Sequence, residues 1–353
     1  MAKQKVGTDF ALIEKIFSQL SSSVSIALLK DDKLAYEFYG GRKNPDSAGR
    51  AEKGDAGRDG PSGPSVNRTT RFNIGSASAL FTGALIVKLM EFGEVGLNDA
   101  IRRFIPEFPY GDVTVYHLLT HTSGLNAAVV PPPDNQDAAR EFYRKIYEGL
   151  RRDYAPAVKS EYFRYGYAML ADAVCRISGQ TLEELASVLL FMPPGMKYTT
   201  YNGAALRDNQ YVIPWNHKEN RFMSELHAKY PTGQNGVYTT ALDLIRFGRL
   251  FLNGGEYDGK AVFLESSVDF LMREITNSKF MRTPVFMIKR QVDIFGCFSE
   301  KLSAGAVALT GDTGGILFID PARRTVGAAL TNSTWVHSVS RNYSNITDIL
   351  MSI

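Results

Sequence analysis

Residues 71–83 read RFNIGSASALFTG, and this stretch predicts the end of a short apolar strand, a glycine turn and the start of a helix. From Ser76 to about Leu89 the residues are apolar on almost every side, and Lys88 carries the only charge. Such a helix lies in the middle of a domain rather than on its surface. A serine in its first turn would lie beside unpaired backbone N–H groups and the positive end of the helix dipole. Ser76 is therefore either a nucleophile or simply the residue that caps the helix.

The composition of the chain is that of a folded protein. It has 353 residues, of which 44% are hydrophobic and 22% charged, enough for one large fold or two domains. The net charge of +3 is small and no basic stripe contains interleaved aromatic residues, so we expect no nucleic-acid partner. Residues 1–19 lack the pattern of a signal peptide and no apolar run is long enough to span a bilayer, so we expect a cytoplasmic protein without a membrane partner.

Neither the histidines nor the cysteines have the spacing of a metal site, so we expect no metal and no cofactor. Among the five histidines, His117 and His121 are four residues apart but lack the His-Glu-x-x-His context. Cys175 and Cys297 are far apart in sequence and predict two buried thiols. No serine lies in a Gly-x-Ser-x-Gly turn, which argues against a Ser/His/Asp triad of the α/β-hydrolase kind.

Strand-like segments lie near both ends of the chain, and helical periodicity lies between them. The segments 23–29 and 33–39 predict a hairpin. The predicted later strands cover 284–298, 306–310, 316–319 and 325–330, and a last helix covers 341–351. This order predicts an α+β fold in which one antiparallel sheet is flanked by terminal helices and a mainly helical domain is inserted.

The same order predicts where the domains begin and end. We expect residues 1–75 and 265–353 to form the discontinuous sheet domain, with an amphipathic helix at 10–20, and residues 76–264 to form the helical domain. Between 42 and 68 the chain is rich in Gly and Pro, and glycine recurs at every third position from Gly54 to Gly63. A few such triplets cannot hold a collagen helix, so this stretch predicts a flexible surface loop.

The quoted stretch resembles the nucleophile segment of the serine β-lactamase and penicillin-binding-protein superfamily. The similarity is strongest to the branch of class C β-lactamases, D,D-peptidases and family VIII esterases, where the segment reads Gly-Ser-x-Ser-Lys-x-Phe-Thr. Further similar segments are VTVYHLLTHTSGL at 113–125, FMPPGMKYT at 191–199 and GVYTTALDLIRFGRLFLNGG at 236–255. The resemblance extends over nearly the whole chain and implies the family's fold, with its site in the cleft between the two domains.

The resemblance also implies which residues form the site. The nucleophile is Ser76, and the family's Tyr-x-Asn motif aligns with Tyr162-Phe163-Arg164. The alternative register at Tyr165-Gly166-Tyr167 would leave the following family segment unmatched. The family's Lys/His-Thr-Gly strand aligns with Asp312-Thr313-Gly314, and the backbone N–H groups of Ser76 and Gly315 would form the oxyanion hole. His121 belongs to a structural segment of the family, so we expect an uncharged histidine whose hydrogen bonds are satisfied within the fold.

Three polar positions of the family have changed in this chain. Where relatives have the lysine of Ser-x-x-Lys, this chain has Ala79; Arg164 replaces the asparagine, and Asp312 replaces a cation. Three changes together favour natural divergence over one engineered substitution. We hypothesise that Arg164 and Asp312 form an ion pair across the cleft, and that Arg164 lowers the pKa of Tyr162 to make a weaker Ser/Tyr catalytic pair.

Two functions remain open at this level. The chain is either a serine hydrolase or acyltransferase without the usual lysine, or a binding protein that kept the cleft and lost turnover. In the first case Ser76 is acylated by a small ester or amide, Tyr162 assists, and Arg164, Asp312, Thr313 and Gly314 contact the substrate. Loss of one member of such a catalytic set can cost on the order of 10⁴–10⁶ in kcat, so we expect no efficient β-lactam hydrolysis. The sequence predicts a small-molecule partner and no particular oligomeric state.

Overall fold

A computed structural model describes residues 21, 23–43, 65–223, 229–274, 282–290, 296–339 and 341–353. The predicted helix at 10–20 and most of the predicted loop at 42–68 lie outside these residues. The strands are β1 (Ser23–Lys30), β2 (Lys33–Gly41), β3 (Arg71–Asn73), β4 (Leu125–Asn126), β5 (Arg151–Arg152), β6 (Tyr211–Val212), β7 (Trp215–Asn216), β8 (Arg221–Phe222), β9 (Tyr238–Thr239), β10 (Glu256–Tyr257), β11 (Lys260–Ala261), β12 (Met287–Ile288), β13 (Val307–Thr310), β14 (Ile316–Asp320) and β15 (Thr325–Thr331). The α-helices are α1 (Ala79–Glu91), α2 (Val115–Leu119), α3 (Gln136–Glu148), α4 (Gly166–Ser178), α5 (Leu182–Ala186), α6 (Ala241–Leu252), α7 (Glu265–Met272), α8 (Thr334–Ser338) and α9 (Arg341–Leu350).

The main sheet has the strand order β12-β13-β14-β15-β1-β2, and every neighbouring pair is antiparallel. One of its interior pairs joins distant parts of the chain, because β1 pairs with β15 from Val24 opposite Thr331 to Lys30 opposite Thr325. The predicted α+β fold with one antiparallel sheet built from both ends is therefore confirmed. Within the described residues the predicted strand at 284–298 is reduced to the two residues of β12.

Both faces of this sheet are covered. In β1 every residue except the last is buried. Val24, Ile26 and Leu28 face the core that α9 completes, and Ala27 and Leu29 face the core that also contains α6. A strand buried on both faces needs apolar or small side chains at consecutive positions, and β1 meets this need with small Ser25 and Ala27 between larger apolar residues.

Helix α1 runs through the centre of the core that also contains α6, as its apolar sequence predicts. The side chains from Leu80 to Val87 are all buried. Phe81 has no exposed surface, and its ring centroid lies 5.1 Å from that of Phe191 and 4.9 Å from that of Phe247 in α6. The start of α1 is thus fixed by packing on several sides. The division of the chain into two domains at 75/76 and 264/265 stays a prediction.

The N-terminus of helix α6 is capped by one threonine. Thr240 is buried, and its Oγ1 accepts a hydrogen bond from the backbone N–H of Asp243 at 3.1 Å. We expect Thr240→Ala to lower the free energy of unfolding by about 1 kcal/mol, because a helix N-terminal N–H then loses its acceptor. Urea unfolding followed by circular dichroism measures this change; an unchanged midpoint would show that the cap contributes nothing.

Candidate active site

Ser76 lies in a tight turn between β3 and α1. A 3-10 turn covers Gly75–Ser78 and leads directly into α1. Gly75 has a φ of +54°, in the left-handed region that favours glycine, and its N–H donates to Asn73 Oδ1 at 2.8 Å. Ser76 is partly exposed inside this turn, whereas Ser78 occupies the N-cap position of α1. The alternative that Ser76 is only the cap of the helix is therefore wrong.

The neighbouring serine has a structural role. Ser78 is fully buried, and its Oγ donates to the carbonyl oxygen of Gly75 at 2.7 Å. The same Oγ accepts the backbone N–H of Val237 at 3.1 Å. These two bonds fix the turn against the segment that leads into β9, and they occupy the donor and one acceptor site of the Ser78 hydroxyl. Of the two serines in the turn, Ser76 alone is accessible from outside.

A cavity of about 550 Å³ opens beside Ser76. Five of the residues singled out from the sequence line it together: Ser76, Ala79, Tyr162, Arg164 and Asp312. Further polar groups on its wall belong to His121, Thr232, Gln234, Asn235, Arg282 and His337. An apolar wall is formed by Val129, Val130, Pro132, Phe142, Val285 and Leu309. A concave site of this size, apolar with a few converging polar groups, suits a small organic ligand.

The carboxylate of Asp312 is bonded to the backbone of the predicted nucleophile. The N–H of Ser76 donates to Asp312 Oδ1 at 2.8 Å. Close by, the hydroxyl of Thr313 donates to the carbonyl oxygen of Asn73 at 2.6 Å. A side chain on Gly75 would overlap Asp312 Oδ1, so the close approach of the two segments requires glycine there. The turn that carries Asp312 is therefore docked directly on the turn that carries Ser76.

Gly315 is not brought to the same cavity as Ser76. Strand β13 ends at Thr310 and β14 begins at Ile316, so the motif at 312–314 lies in a short turn rather than on a strand. Within the turn the N–H of Gly311 donates to the carbonyl oxygen of Gly315 at 2.8 Å. The N–H of Gly314 donates to the carbonyl oxygen of Gly311 at 3.0 Å. Gly315 lines a second, small apolar cavity instead.

Tyr162 presents its ring to the cavity and is about half exposed, at 55%. Its hydroxyl oxygen accepts a hydrogen bond from Gln234 Nε2 at 2.7 Å. Burial of the hydroxyl and the nearby negative charge of Asp312 raise the pKa of Tyr162, although Gln234, Arg164 and Arg282 act in the opposite direction. The expectation that Arg164 makes a phenolate accessible is therefore wrong, and Tyr162 remains a neutral phenol near neutral pH.

Arg164 and Asp312 line the same cavity without pairing. Among the residues that the structure describes, no ion pair joins their side chains. The physical reason is the orientation of Asp312, whose carboxylate points at the N–H of Ser76. The hypothesis of a cross-cleft ion pair is thus not supported by the geometry, and Arg164 remains an exposed cation at the cavity.

His121 fixes the segment that carries Tyr162. Its carbonyl oxygen accepts the N–H of Glu161 at 2.9 Å, and its Nδ1 accepts the N–H of Phe163 at 3.3 Å. The imidazole lies 5.0 Å from the ring of Tyr162, centroid to centroid. Burial, together with the charge of Arg282, lowers the pKa of His121 to about 3. The imidazole is neutral at pH 7, as the sequence predicted, and His121 holds the backbone on both sides of Tyr162 through its carbonyl oxygen and its Nδ1.

Sequence reasoning missed several groups of the cavity wall. Gln234 donates a hydrogen bond to the Tyr162 hydroxyl, and Arg282 and His337 are further polar residues of the wall. None of the three lies in a segment that resembles a motif of the family. In the part of the chain that the structure describes, no cluster of three or more His, Cys, Asp or Glu side chains could hold a metal ion. No helix among the described residues is long and apolar enough to cross a membrane.

Comparison with known proteins gives matches along almost the whole chain. The family model "Beta-lactamase" matches residues 13–350. The putative penicillin-binding protein PbpX of Bacillus subtilis (strain 168) is 27% identical over 204 residues, which are 55% of this chain and 50% of that protein. The D-alanyl-D-alanine-carboxypeptidase/endopeptidase AmpH of Escherichia coli (strain K12) is 26% identical over 194 residues, which are 52% of this chain and 49% of that protein. The chain thus spans about half the length of the curated relatives it matches.

Solved structures with the same fold include two with transferase or synthase names. EstCE1, described as a hydrolase with promiscuous acyltransferase activity, superimposes with a TM-score of 0.76 at 14% identity, covering 98% of this chain and 99% of the other. Simvastatin synthase from Aspergillus terreus (a LovD6 mutant) superimposes with a TM-score of 0.74 at 16% identity, over 100% of both chains. At these identities the likeness concerns the fold alone.

Proposed function

This chain belongs to the beta-lactamase family, and from that premise we propose that it is a divergent serine hydrolase or acyltransferase acting on a small ester or amide through Ser76. One observation carries the proposal: a partly exposed serine at the N-terminal end of a buried helix opens on a cavity of about 550 Å³ that Tyr162 also lines. A hydroxyl at this position benefits from the positive end of the helix dipole.

The proposed reaction proceeds without a lysine and without a phenolate. Ser76 Oγ forms a bond to the carbonyl carbon of the substrate while its proton passes to the oxygen of Tyr162, and the phenolic proton of Tyr162 passes to the leaving alcohol or amine. The carbonyl-to-leaving-group bond then breaks, and an ester on Ser76 remains. Water, or a second alcohol or amine, removes the acyl group by the reverse sequence. A neutral phenol suits this relay, because it accepts one proton from Ser76 and donates another to the leaving group, so that its own charge does not change.

The cavity wall limits the substrate in charge and size. A volume of about 550 Å³ suits a small molecule rather than a polymer. The apolar wall around Val130 and Phe142 suits the acyl group. Asp312 favours a substrate amine and disfavours a carboxylate close to Ser76. A cationic or neutral ester is therefore the proposed substrate class, with Arg164 proposed as a further contact. The predicted contacts Thr313 and Gly314 and the predicted oxyanion donor Gly315 do not line this cavity, and Thr313 and Gly314 hold the turn that carries Asp312 instead.

The second candidate function is binding without turnover. Two observations favour it: Ala79 supplies no proton acceptor beside Ser76, and the N–H of Ser76 is already bonded to Asp312. In this case the cavity holds a ligand but Ser76 stays unmodified.

Covalent labelling separates the two functions. We expect p-nitrophenyl acetate or a fluorophosphonate probe to add mass to Ser76 slowly, and Ser76→Ala to abolish the adduct. Ser338→Ala is the matched control, because Ser338 is an exposed serine next to the cavity residue His337, and it should label like the wild type. Equal labelling of Ser76→Ala would refute the proposal, and no adduct on the wild type at saturating probe would favour the binding function.

A further inference from the structure

We propose that Asp312 keeps Ser76 in a self-capped resting state, in which the protein's own carboxylate occupies the backbone donor that an oxyanion on Ser76 would need. The inference rests on the proposed function, since it assumes that Ser76 can be acylated. It goes beyond that function by assigning Asp312 as the residue that decides how readily Ser76 reacts.

The contact has the geometry of a charge-assisted hydrogen bond. The N–H of Ser76 and Oδ1 of Asp312 are 2.8 Å apart, within the range of strong N–H to carboxylate bonds. The 3-10 turn at Gly75–Ser78 is followed directly by the 13 residues of α1, and Ser78 and Ala79 at the junction have right-handed helical backbone. Asp312 therefore accepts an N–H immediately before the N-terminal end of this helix, where the helix dipole stabilises a negative charge.

The surrounding backbone is shaped to accept this carboxylate. A Cβ on Gly75 would overlap Asp312 Oδ1, and a Cβ on Gly311 would overlap the carbonyl oxygen of Ile74. The turn is further held by Thr313, which donates to Asn73, and by the buried hydroxyl of Tyr343, which donates to the carbonyl oxygen of Gly311 at 2.8 Å. The turn that carries Asp312 is thus held by several independent contacts, and the carboxylate itself is held by the bond to the N–H of Ser76.

The chemical consequence concerns the transition state. When Ser76 Oγ attacks a carbonyl carbon, negative charge develops on the carbonyl oxygen, and the N–H of the attacking serine is a natural donor to it. With Asp312 in place this donor is occupied, and the second negative charge repels the developing one. Removal of one oxyanion donor costs on the order of 10²–10³ in rate in a well-studied serine protease. Acylation therefore requires the Asp312 side chain, which is exposed on its cavity side, to turn away.

The test measures the acylation rate of Ser76 in variants at position 312. We expect Asp312→Ala to release p-nitrophenolate from p-nitrophenyl acetate at least about tenfold faster than the wild type, a lower bound that lies below the range of about 10²–10³ for one full oxyanion donor. We expect Asp312→Asn to give a smaller gain, because its amide oxygen still accepts the N–H of Ser76 but carries no charge. Combination with Ser76→Ala should remove either gain, and intact-mass analysis should place the acetyl group on Ser76.

One further variant and one further probe guard against indirect effects. Ser338→Ala changes an exposed serine outside the turn that carries Asp312, and it should acylate like the wild type. If Asp312→Ala does not fold, Asp312→Asn decides the question, since it preserves the hydrogen bond and the side-chain volume. Phenylboronic acid, which forms a tetrahedral anion on a serine hydroxyl, should bind both Asp312 variants more tightly than the wild type.

The outcomes distinguish this inference from the proposed function. Wild type and Asp312 variants that acetylate Ser76 equally fast would overturn the self-capped state and leave the hydrolase proposal standing. A slower rate in the variants would also overturn it and would make Asp312 a helper of the reaction. Absence of any adduct or boronate binding in the wild type and in all variants would overturn both.

Discussion

Replacement of Ala79 by lysine is expected to raise the rate of Ser76 acylation by about 10²-fold or more, the usual contribution of a well-placed acid–base group. Ala79 lies three residues after Ser76 and lines the same cavity, so an amine introduced there reaches the hydroxyl from the same helical face. It could accept the Ser76 proton directly, which the neutral phenol of Tyr162 does only through a coupled transfer. The same amine would offer Asp312 a partner other than the N–H of Ser76.

The measurement is the burst of p-nitrophenolate together with the mass of the acyl-enzyme. Ala79→Met is the matched control, because methionine occupies a similar length without an amine, and it should leave the rate near that of the wild type. Ala79→Lys combined with Ser76→Ala should be inactive. A lysine variant that is folded but no faster than Ala79→Met would show that the missing lysine is not what limits this site.

Acidification is expected to destabilise the protein through His121. Its pKa is lowered from the usual 6.5 to about 3 in the folded state, so between these values the unfolded chain binds a proton that the folded chain does not. The contribution of the neutral His121 to the free energy of unfolding is therefore fully present above pH 6.5, and it is lost progressively as the pH falls towards 3. By pH 4 the loss amounts to about 3 kcal/mol relative to pH 7, as an order of magnitude for a fully buried imidazole.

Urea unfolding at pH 7 and pH 4 measures this loss, and His121→Asn is the comparison. Asparagine tolerates the left-handed backbone of this position, where φ is +55°, and its side-chain oxygen can still accept the N–H of Phe163. The variant should be less stable than the wild type at pH 7 but should lose several-fold less stability on acidification. An equal loss in both proteins would mean that other groups cause the acid sensitivity.

The sequence predicted which residues meet, because that information lies in motifs. The placement of Ser76 before a buried helix, and its convergence with Ala79, Tyr162 and Asp312 in one cavity, follow from segments whose spacing resembles a known fold. The neutral state of His121 was predicted in the same way. Such statements depend on the path of the backbone, which hydrophobic periodicity and glycine turns determine well.

The errors concern directions of side chains and sums of opposing electrostatic effects. The bond from Ser76 to Asp312 depends on a turn only a few residues long between β13 and β14, and motif alignment does not fix the direction of the Asp312 carboxylate in such a turn. The pKa of Tyr162 is the net result of burial and four neighbours, of which Gln234 and Arg282 lie in no recognisable motif. Neither result can be read from residue types alone.

The pairing of β1 with β15 has a consequence for how the protein is made. Ser21 and Asn332, which share a hydrogen bond at the edge of this pairing, are 311 positions apart along the chain. A ribosome must therefore synthesise the chain from β1 through β15 before this interior pair of the sheet can form, and until then one edge of β1 lacks its partner strand. Slow, late closure of this kind exposes apolar surface to aggregation, so we expect the nascent chain to depend on holding chaperones more than a protein whose strands pair in order of synthesis.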